Sequence, residues 1–256
     1  MGELVRAELQ DRVGTITLDS QHNRNALSRQ LLSELHDALD ACETAHVIVL
    51  RHEGPAFCSG ADLKERSDPG TPPDSRPMVD VMSRLMDGPC PTIAAVDGAV
   101  RAGGIGLMAA CDLSVVASSV TFALTEVRIG VAPAIISVPI LRRVTAGRIA
   151  ASMLTGEPFD AAYAREIGLI THVTDDVPGT VERLCQGVLA GSPRAVAETK
   201  RLLRIVPTME RNTAFAEMRS LSDELFRSAD ALEGMTAFRE KRAPAWTSEP
   251  GQVSNR

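Results

Sequence analysis

The chain has 256 residues, a formal net charge of -6 and 44% hydrophobic residues. This length permits one large α/β domain, or a domain with a smaller helical appendage, and either would bury a sizeable core. The acidic balance argues against nucleic acid as a partner, because such binding needs a basic surface. The first ten residues are too polar for a secretory signal, and two prolines interrupt the longest apolar stretch, 131–141. These features predict a cytoplasmic protein without a membrane partner.

The cysteines and histidines do not show the spacing of a metal site. The five cysteines are scattered and include no C-x-x-C pair, so reduced thiols are expected. The histidines likewise lack ligand spacing. No metal is therefore predicted. The residues concerned are Cys42, Cys58, Cys90, Cys111 and Cys185, and His22, His36, His46, His52 and His172.

The front half of the chain is rich in strand patterns. LVRAELQ and VGTITLD alternate apolar and polar residues, which predicts a β-hairpin. Ser28 is placed to cap a helix over about 29–43, and HVIVLRH then predicts a buried strand. The prolines and turn formers of 66–77 predict a surface loop over or beside a site.

Two glycine-rich segments each follow a predicted strand. FCSGADL occupies 57–63, and AVRAGGIGL occupies 99–107, before the strand DLSVVAS. A helix that starts among glycines presents unpaired backbone N–H groups and a partial positive charge, so two such starts can stabilise an oxyanion. One such segment alone is equally well explained as a tight turn. Neither segment has the spacing of a dinucleotide or P-loop fingerprint.

The back half is mostly helical, with one short strand in LITHV. Helices are predicted near 135–144, 146–154, 160–167, 180–190, 193–206, 209–226 and 229–241. A sheet-rich front and a helix-rich back predict a layered α/β core over 1–190 and a helical region over 191–256.

The ordered motifs resemble the enoyl-CoA hydratase/isomerase (crotonase) superfamily over nearly the whole chain. They are NRNALS, AFCSGADLKE, AVDGAVRAGGIGLMAACDLSVVA, FALTEVRIGVAP, LTGEPFDAAYAREIGLITHV and EGMTAFREKR. The resemblance implies a ββα spiral with C-terminal helices that build a homotrimer or a dimer of trimers. It also implies an acyl-CoA substrate and no separate cofactor.

The resemblance assigns three catalytic positions. Ala61 and Gly103 match the residues whose backbone N–H groups form the oxyanion hole for the thioester oxygen. Glu126 matches a catalytic carboxylate that moves a proton beside the activated carbonyl. A glutamate in such a turn is otherwise most often a surface charge. The serine-hydrolase alternative through Ser59 lacks the nucleophile-elbow motif.

Gly106 stands where the best-known hydratases of this superfamily carry a second glutamate. Three functions remain open: hydration of a 2-enoyl-CoA by Glu126 alone, double-bond isomerisation by Glu126, or acyl-CoA binding without turnover. The segment TEVRIGVAPAIIS is most similar to hydratases that act on branched, carboxylated enoyl-CoAs, which favours hydration. Arg101 is either a surface arginine or a contact for an acidic acyl tail.

The resemblance also implies a set of residues that bind the substrate. Basic groups would hold the CoA phosphates, and the last two positions would reach CoA from a neighbouring subunit. The predicted binding residues are Arg24, Asn25, Ala26, Cys58, Gly60, Asp62, Leu63, Lys64, Arg101, Gly104, Gly106, Phe238 and Lys241.

Overall fold

A computed structural model describes residues 2–67, 69–70 and 72–247. The strands are Val5–Gln10 (β1), Val13–Leu18 (β2), Val47–His52 (β3), Ala56–Cys58 (β4), Thr92–Val96 (β5), Ala99–Arg101 (β6), Leu113–Ala117 (β7), Thr121–Ala123 (β8), Phe159–Asp160 (β9) and His172–Thr174 (β10). The helices are Arg29–Ala41 (α1), Leu63–Arg66 (α2), Arg76–Asp87 (α3), Gly103–Ala110 (α4), Ala134–Leu141 (α5), Ala146–Thr155 (α6), Ala161–Glu166 (α7), Val177–Leu189 (α8), Pro193–Ile205 (α9), Arg211–Phe226 (α10) and Ala229–Glu240 (α11).

The strands form two sheets that the chain visits in turn. The larger sheet has the order β1-β2-β3-β5-β7-β10, and the smaller one has the order β4-β6-β8-β9. Each of three successive passes places one strand in the larger sheet, the next in the smaller sheet, and then one or more helices. Strands β3, β5 and β7 are mutually parallel, as are β4, β6 and β8. The predicted ββα spiral is therefore confirmed.

The larger sheet is buried on both faces. In β3, Val47 and Val49 pack with α8, whereas Ile48 and Leu50 belong to the main core between the sheets and helices. Because successive side chains of a strand point to opposite faces, one short run of β-branched and aliphatic residues serves both clusters. The core thus gives the smaller sheet, and the ends of its strands, a rigid support.

Local sequence signals placed most of these elements correctly. β1 and β2 pair as the predicted antiparallel hairpin. The Ser28 side chain accepts a hydrogen bond from the N–H of Leu31 at 3.2 Å, as an N-cap should. Helix α1 ends at Ala41, two residues before the predicted end.

The predicted loop over 66–77 is too long at both ends. Arg66 is the last residue of α2, and α3 already begins at Arg76. Pro77 lies in the first turn of α3, where a missing N–H costs no intrahelical hydrogen bond. Pro77, which contributed to the loop prediction, therefore lies in the first turn of a helix.

The C-terminal helices differ in how they join the core. On α9, the buried Lys200 donates to the carbonyls of Leu85 and Cys90 at 2.8 Å each, and lies 2.9 Å from the Asp112 carboxylate. Helix α10, in contrast, buries just Ala214 within the described chain. The boundary predicted at residue 190 stays a prediction. Within the described ranges, no helix is both long and apolar enough to cross a bilayer.

Candidate active site

The two glycine-rich segments lie side by side at one edge of the smaller sheet. Strands β4 and β6 are parallel, with Ala56 opposite Ala99 and Cys58 opposite Val100. Because parallel strands end at the same edge, residues 59–61 and 102–103 emerge together. The sheet topology therefore unites the two loops that the sequence predicted to act together.

The loops touch so closely that glycine is required at Gly60. This residue has φ +96°, and a methyl group on it would lie 2.9 Å from Ala102 Cβ and 3.4 Å from the N of Gly103. Gly104 is similarly confined, since a methyl group there would lie 2.7 Å from the carbonyl oxygen of Cys58. Packing thus explains why glycine stands at both positions, while their predicted contacts with the substrate stay predictions.

Two backbone donors are free at this contact. Within the described part of the chain, the N–H groups of Ala61 and Gly103 donate no hydrogen bond. Gly103 is the first residue of α4, a helix whose residues are all buried. The positive end of the helix dipole therefore supports its N–H. This is the donor pair that an oxyanion hole needs.

Ala102, directly before Gly103, has φ +46° and ψ −118°, a conformation that side chains disfavour. Its own N–H donates to the Ala123 carbonyl at 2.9 Å, which fixes the turn. Sequence reasoning missed this residue, although an alanine between a strand and a glycine pair is a usable signal. Strain of this kind is typical of functional turns.

Glu126 lies at the same edge as the two donors. It begins a short 3₁₀ helix that follows β8, the parallel neighbour of β6. Its Oε2 atom is buried and has no hydrogen-bond partner among the described residues. Burial raises the pKa of the Glu126 carboxyl above its ordinary value. The group is thus prepared to accept and return a proton.

The position of the missing second carboxylate is filled. A methyl group on Gly106 would lie 2.6 Å from Ile136 Cβ and 3.0 Å from Met82 Cε. Helices α4 and α5 therefore pack against each other with no room for a side chain at this position. The sequence did not indicate this role of Ile136, because Gly106, which it contacts, lies thirty positions earlier in the chain.

The segment 24–26 lies beside the first glycine loop, since the N–H of Ser59 donates to the Arg24 carbonyl at 3.0 Å. The fully buried Asn25 donates to the carbonyls of Glu53 and Ala56 at 3.1 and 2.8 Å, and its Oδ1 accepts from the N–H of Ser20. Its side chain thus holds the turn in place, and the predicted contact of this turn with CoA stays a prediction. Ala26 is buried and Arg24 is exposed.

Two further predicted binding residues have structural duties. The Asp62 carboxylate caps α2 by accepting from the N–H groups of Lys64 and Glu65. The Cys58 thiol is buried, which raises its pKa to about 12 and leaves it without thiolate character. Leu63 and Lys64 are exposed and remain available.

Arg101 is turned away from the donors. Its guanidinium donates to the Thr121 carbonyl and, at 2.8 Å, to the Thr121 hydroxyl. Thr121 begins β8, whereas Arg101 pairs with Ala123 at the other end of that strand. The side chain therefore runs back along the sheet, and its contact with an acyl tail stays a hypothesis that these hydrogen bonds do not support.

The two remaining predicted CoA contacts lie near the end of α11, the last of the C-terminal helices. Phe238 is 86% exposed, and Lys241 ends α11 in a left-handed conformation. Their contact with CoA stays a prediction.

On the exposed face of α1, His36, Asp37 and Asp40 have potential ligand atoms within 4.8 Å of one another, a grouping that the sequence did not predict. The Asp40 carboxylate is paired with Arg84 at 2.5 Å.

Comparison with known proteins decides the family. A family profile described as enoyl-CoA hydratase/isomerase matches residues 8–249. This chain is a member of the enoyl-CoA hydratase/isomerase family. Members of this family act on acyl-CoA substrates and are usually oligomeric. The hydratase/isomerase assignment agrees with both the fold and the paired glycine loops.

Three relatives illustrate the hydratase/isomerase similarity. An enoyl-CoA hydratase structure from Mycobacterium avium is 41% identical, with a TM-score of 0.73, and covers 96% of this chain and 100% of that one. A second, from Mycobacterium smegmatis, is 30% identical, with a TM-score of 0.89 and the same coverage. The mitochondrial methylglutaconyl-CoA hydratase of Mus musculus is 31% identical over 248 residues, covering 91% of this chain and 78% of the relative.

Proposed function

We propose that this protein hydrates a 2-enoyl-CoA, with Glu126 as its acid and base. The observation that carries the proposal is that Glu126 and the free N–H groups of Ala61 and Gly103 follow neighbouring parallel strands at one edge of the smaller sheet. A thioester oxygen that accepts from both donors withdraws electrons from the double bond. C3 then becomes open to attack by water.

One carboxylate is sufficient for both proton transfers. Glu126 takes a proton from water as the hydroxyl adds to C3, which leaves an enolate held by the N–H groups of Ala61 and Gly103. The same carboxyl then returns its proton to C2, so the atoms of one water are added in total. The raised pKa of the Glu126 carboxyl assists the second transfer. Beyond the CoA of the substrate, the proposal requires no cofactor.

Isomerisation is the second candidate, and the Gly106 contact favours it. Because Ile136 closes the position of a second carboxylate, proton shuttling between C2 and C4 by Glu126 alone also fits the geometry. Such a reaction moves the double bond and adds no water. Binding without turnover is less favoured, since the buried Oε2 of Glu126 is kept free of partners.

Two kinds of substrate, a 2-enoyl-CoA and a 3-enoyl-CoA, distinguish hydration from isomerisation by one absorbance measurement. Hydration of crotonyl-CoA or 3-methylglutaconyl-CoA removes the absorbance of the conjugated enoyl thioester, whereas isomerisation of a 3-enoyl-CoA creates it. We expect loss of absorbance, and a fall of about 10²–10⁴ in kcat for Glu126→Gln. Glu157→Gln, at an exposed position, is the matched control. Gain of absorbance from the 3-enoyl-CoA alone would establish the isomerase instead.

We also propose that the C-terminal helices assemble the chain into a homotrimer or a dimer of trimers. Helices α10 and α11 expose large apolar side chains, namely Phe215, Phe226, Leu232, Met235 and Phe238. Exposing these side chains does not stabilise a monomer, whereas burying them at a subunit interface is favourable. Light scattering on a sizing column measures the mass: a monomer at micromolar concentration would contradict this proposal.

A further inference from the structure

Arg143 lies just after α5 and reaches the C-terminal end of α4. Its Nε donates to the Ala109 carbonyl at 2.7 Å, and its Nη2 donates to the carbonyls of Cys111 and, at 3.1 Å, Asp112. The last carbonyls of a helix have no partner within the helix, and leaving such groups unpaired in the interior is costly. One side chain therefore satisfies three carbonyls at the end of α4.

The side chains of α4 offer no polar contact that could fix the helix. Its sequence, GGIGLMAA, contains no polar side chain, and all eight residues are buried. Apolar packing is non-directional, so it does not by itself fix a helix along its axis. Directional contacts hold the two ends instead: the N–H of Ala102 donates to the Ala123 carbonyl before the first residue, and Arg143 donates at the last turn.

The segment that carries Arg143 also contacts the middle of α4. Ile136 of α5 fills the space beside Gly106, and the N–H of Arg143 donates to the Ile140 carbonyl at 3.0 Å, which joins Arg143 to the end of α5. A helix of eight residues is about 12 Å long and shifts as one body. A displacement of the Ala109 end is therefore transmitted to Gly103 at the other end.

The charge of Arg143 is also placed at this end of α4. The Asp112 carboxylate is engaged by Lys200 at 2.9 Å and by the N–H of Thr92 at 2.8 Å. The Arg143 guanidinium contacts backbone carbonyls instead, at the negative end of the α4 dipole. A cation is favourable in that position. Both its charge and its donors therefore stabilise the end of α4 that is remote from Gly103.

We infer that Arg143 is a positioning residue for the oxyanion hole: by holding the C-terminal end of α4, it keeps the Gly103 N–H directed at the thioester oxygen. The inference rests on the proposed function, which makes this N–H an oxyanion donor. Arg143 acts through α4 and not on a reacting atom.

The infrared carbonyl stretch of bound butyryl-CoA, isotope-labelled at its thioester carbon, tests the inference. Butyryl-CoA has no double bond and is not turned over, and hydrogen bonds to its carbonyl oxygen lower the stretching frequency. We expect the wild-type chain to lower this frequency relative to solution, and Arg143→Met to return it most of the way. Arg143→Lys should keep part of the shift, because it retains the charge without the planar fork of donors. Arg142→Met, at the exposed neighbour, should keep all of it.

Turnover of crotonyl-CoA gives a second readout. Arg143→Met should lower kcat about tenfold or more, with KM changed by less than about twofold, because an oxyanion donor acts mainly in the transition state. Asp176→Ala controls for lost stability alone. It removes the N-cap of α8, on the far face of the larger sheet, and should leave both kcat and the carbonyl frequency unchanged.

An unchanged carbonyl frequency in Arg143→Met would overturn the inference, and if that variant does not fold, an unchanged frequency in Arg143→Lys has the same consequence. A wild-type chain that leaves the frequency at its solution value would also overturn it. The proposed function fails in a different way. If the frequency depends on Arg143 and no enoyl-CoA is hydrated, the hydratase proposal is wrong and the positioning role stands.

Discussion

Gly106 and Ile136 are packed so closely that the backbone of α4 lies against the side chain of α5. A methyl group on Gly106 would come within 2.6 Å of Ile136 Cβ, an atom that cannot move without its backbone. The absence of a second carboxylate is therefore built into the spacing of the two helices. Restoring that carboxylate by a single substitution would require the helices to separate.

The first prediction follows from this contact. Gly106→Ala should lower the free energy of unfolding by about 1–3 kcal/mol, the usual effect of overpacking a core. Ile136→Ala in the same chain should restore only part of the loss, because its Cβ remains. Urea denaturation of the two single variants and the double variant measures this coupling. If Gly106→Ala were as stable as the wild-type chain, α5 would be shown to move aside at no measurable cost in free energy.

The second prediction concerns the buried carboxylate. Because the folded pKa of Glu126 is raised, its ionised form is destabilised in the folded chain, and stability falls as pH rises from the ordinary value through the folded pKa. Glu126→Gln removes that cost and should stabilise the protein at pH 7 by about 1 kcal/mol, while lowering kcat by about 10²–10⁴. Melting curves at pH 4 and pH 7 should show the gain only at pH 7. A loss of stability at pH 7 would contradict the assigned burial cost.

The third prediction uses the strained turn. Ala102→Gly should relieve the positive φ and raise the free energy of unfolding by about 1 kcal/mol, net of the entropy that glycine adds to the unfolded chain. The control is Ala151→Gly on the exposed face of α6, which should instead destabilise by about 1 kcal/mol. Equal destabilisation of both variants would show that Ala102 carries no strain.

The fourth prediction concerns the link between α9 and the core. Lys200→Met leaves the Leu85 and Cys90 carbonyls, together with the Asp112 carboxylate, without their ammonium partner. We expect a loss of about 3 kcal/mol in urea denaturation, typical of breaking a buried charge pair. Arg201→Met, the next residue and a partly exposed ion pair with Glu198, should cost about 0.5 kcal/mol. Similar losses for the two variants would mean that the Lys200 contacts are not stabilising.

Much of the site was predictable because its parts are local. The glycine loops follow strands, and Glu126 follows a strand, so each could be placed at a strand end from a few neighbouring residues. Their approach to one another depends on the parallel order β4-β6-β8, which the structure gives and which agrees with the ββα spiral implied by the family resemblance. The hydrogen bonds of the Asn25 and Arg101 side chains were not predictable, because these partners lie twenty or more positions away.

The sequence by itself determined the hairpin, the caps and the glycine turns, since these depend on side-chain alternation and on donors within one helical turn. The tertiary structure alone decided that Ile136 fills the space beside Gly106, and that Lys200 joins α9 to the core. Those relationships join elements that are remote in the chain. They are set by how closely helices and sheets pack, and no local pattern of residues encodes that distance.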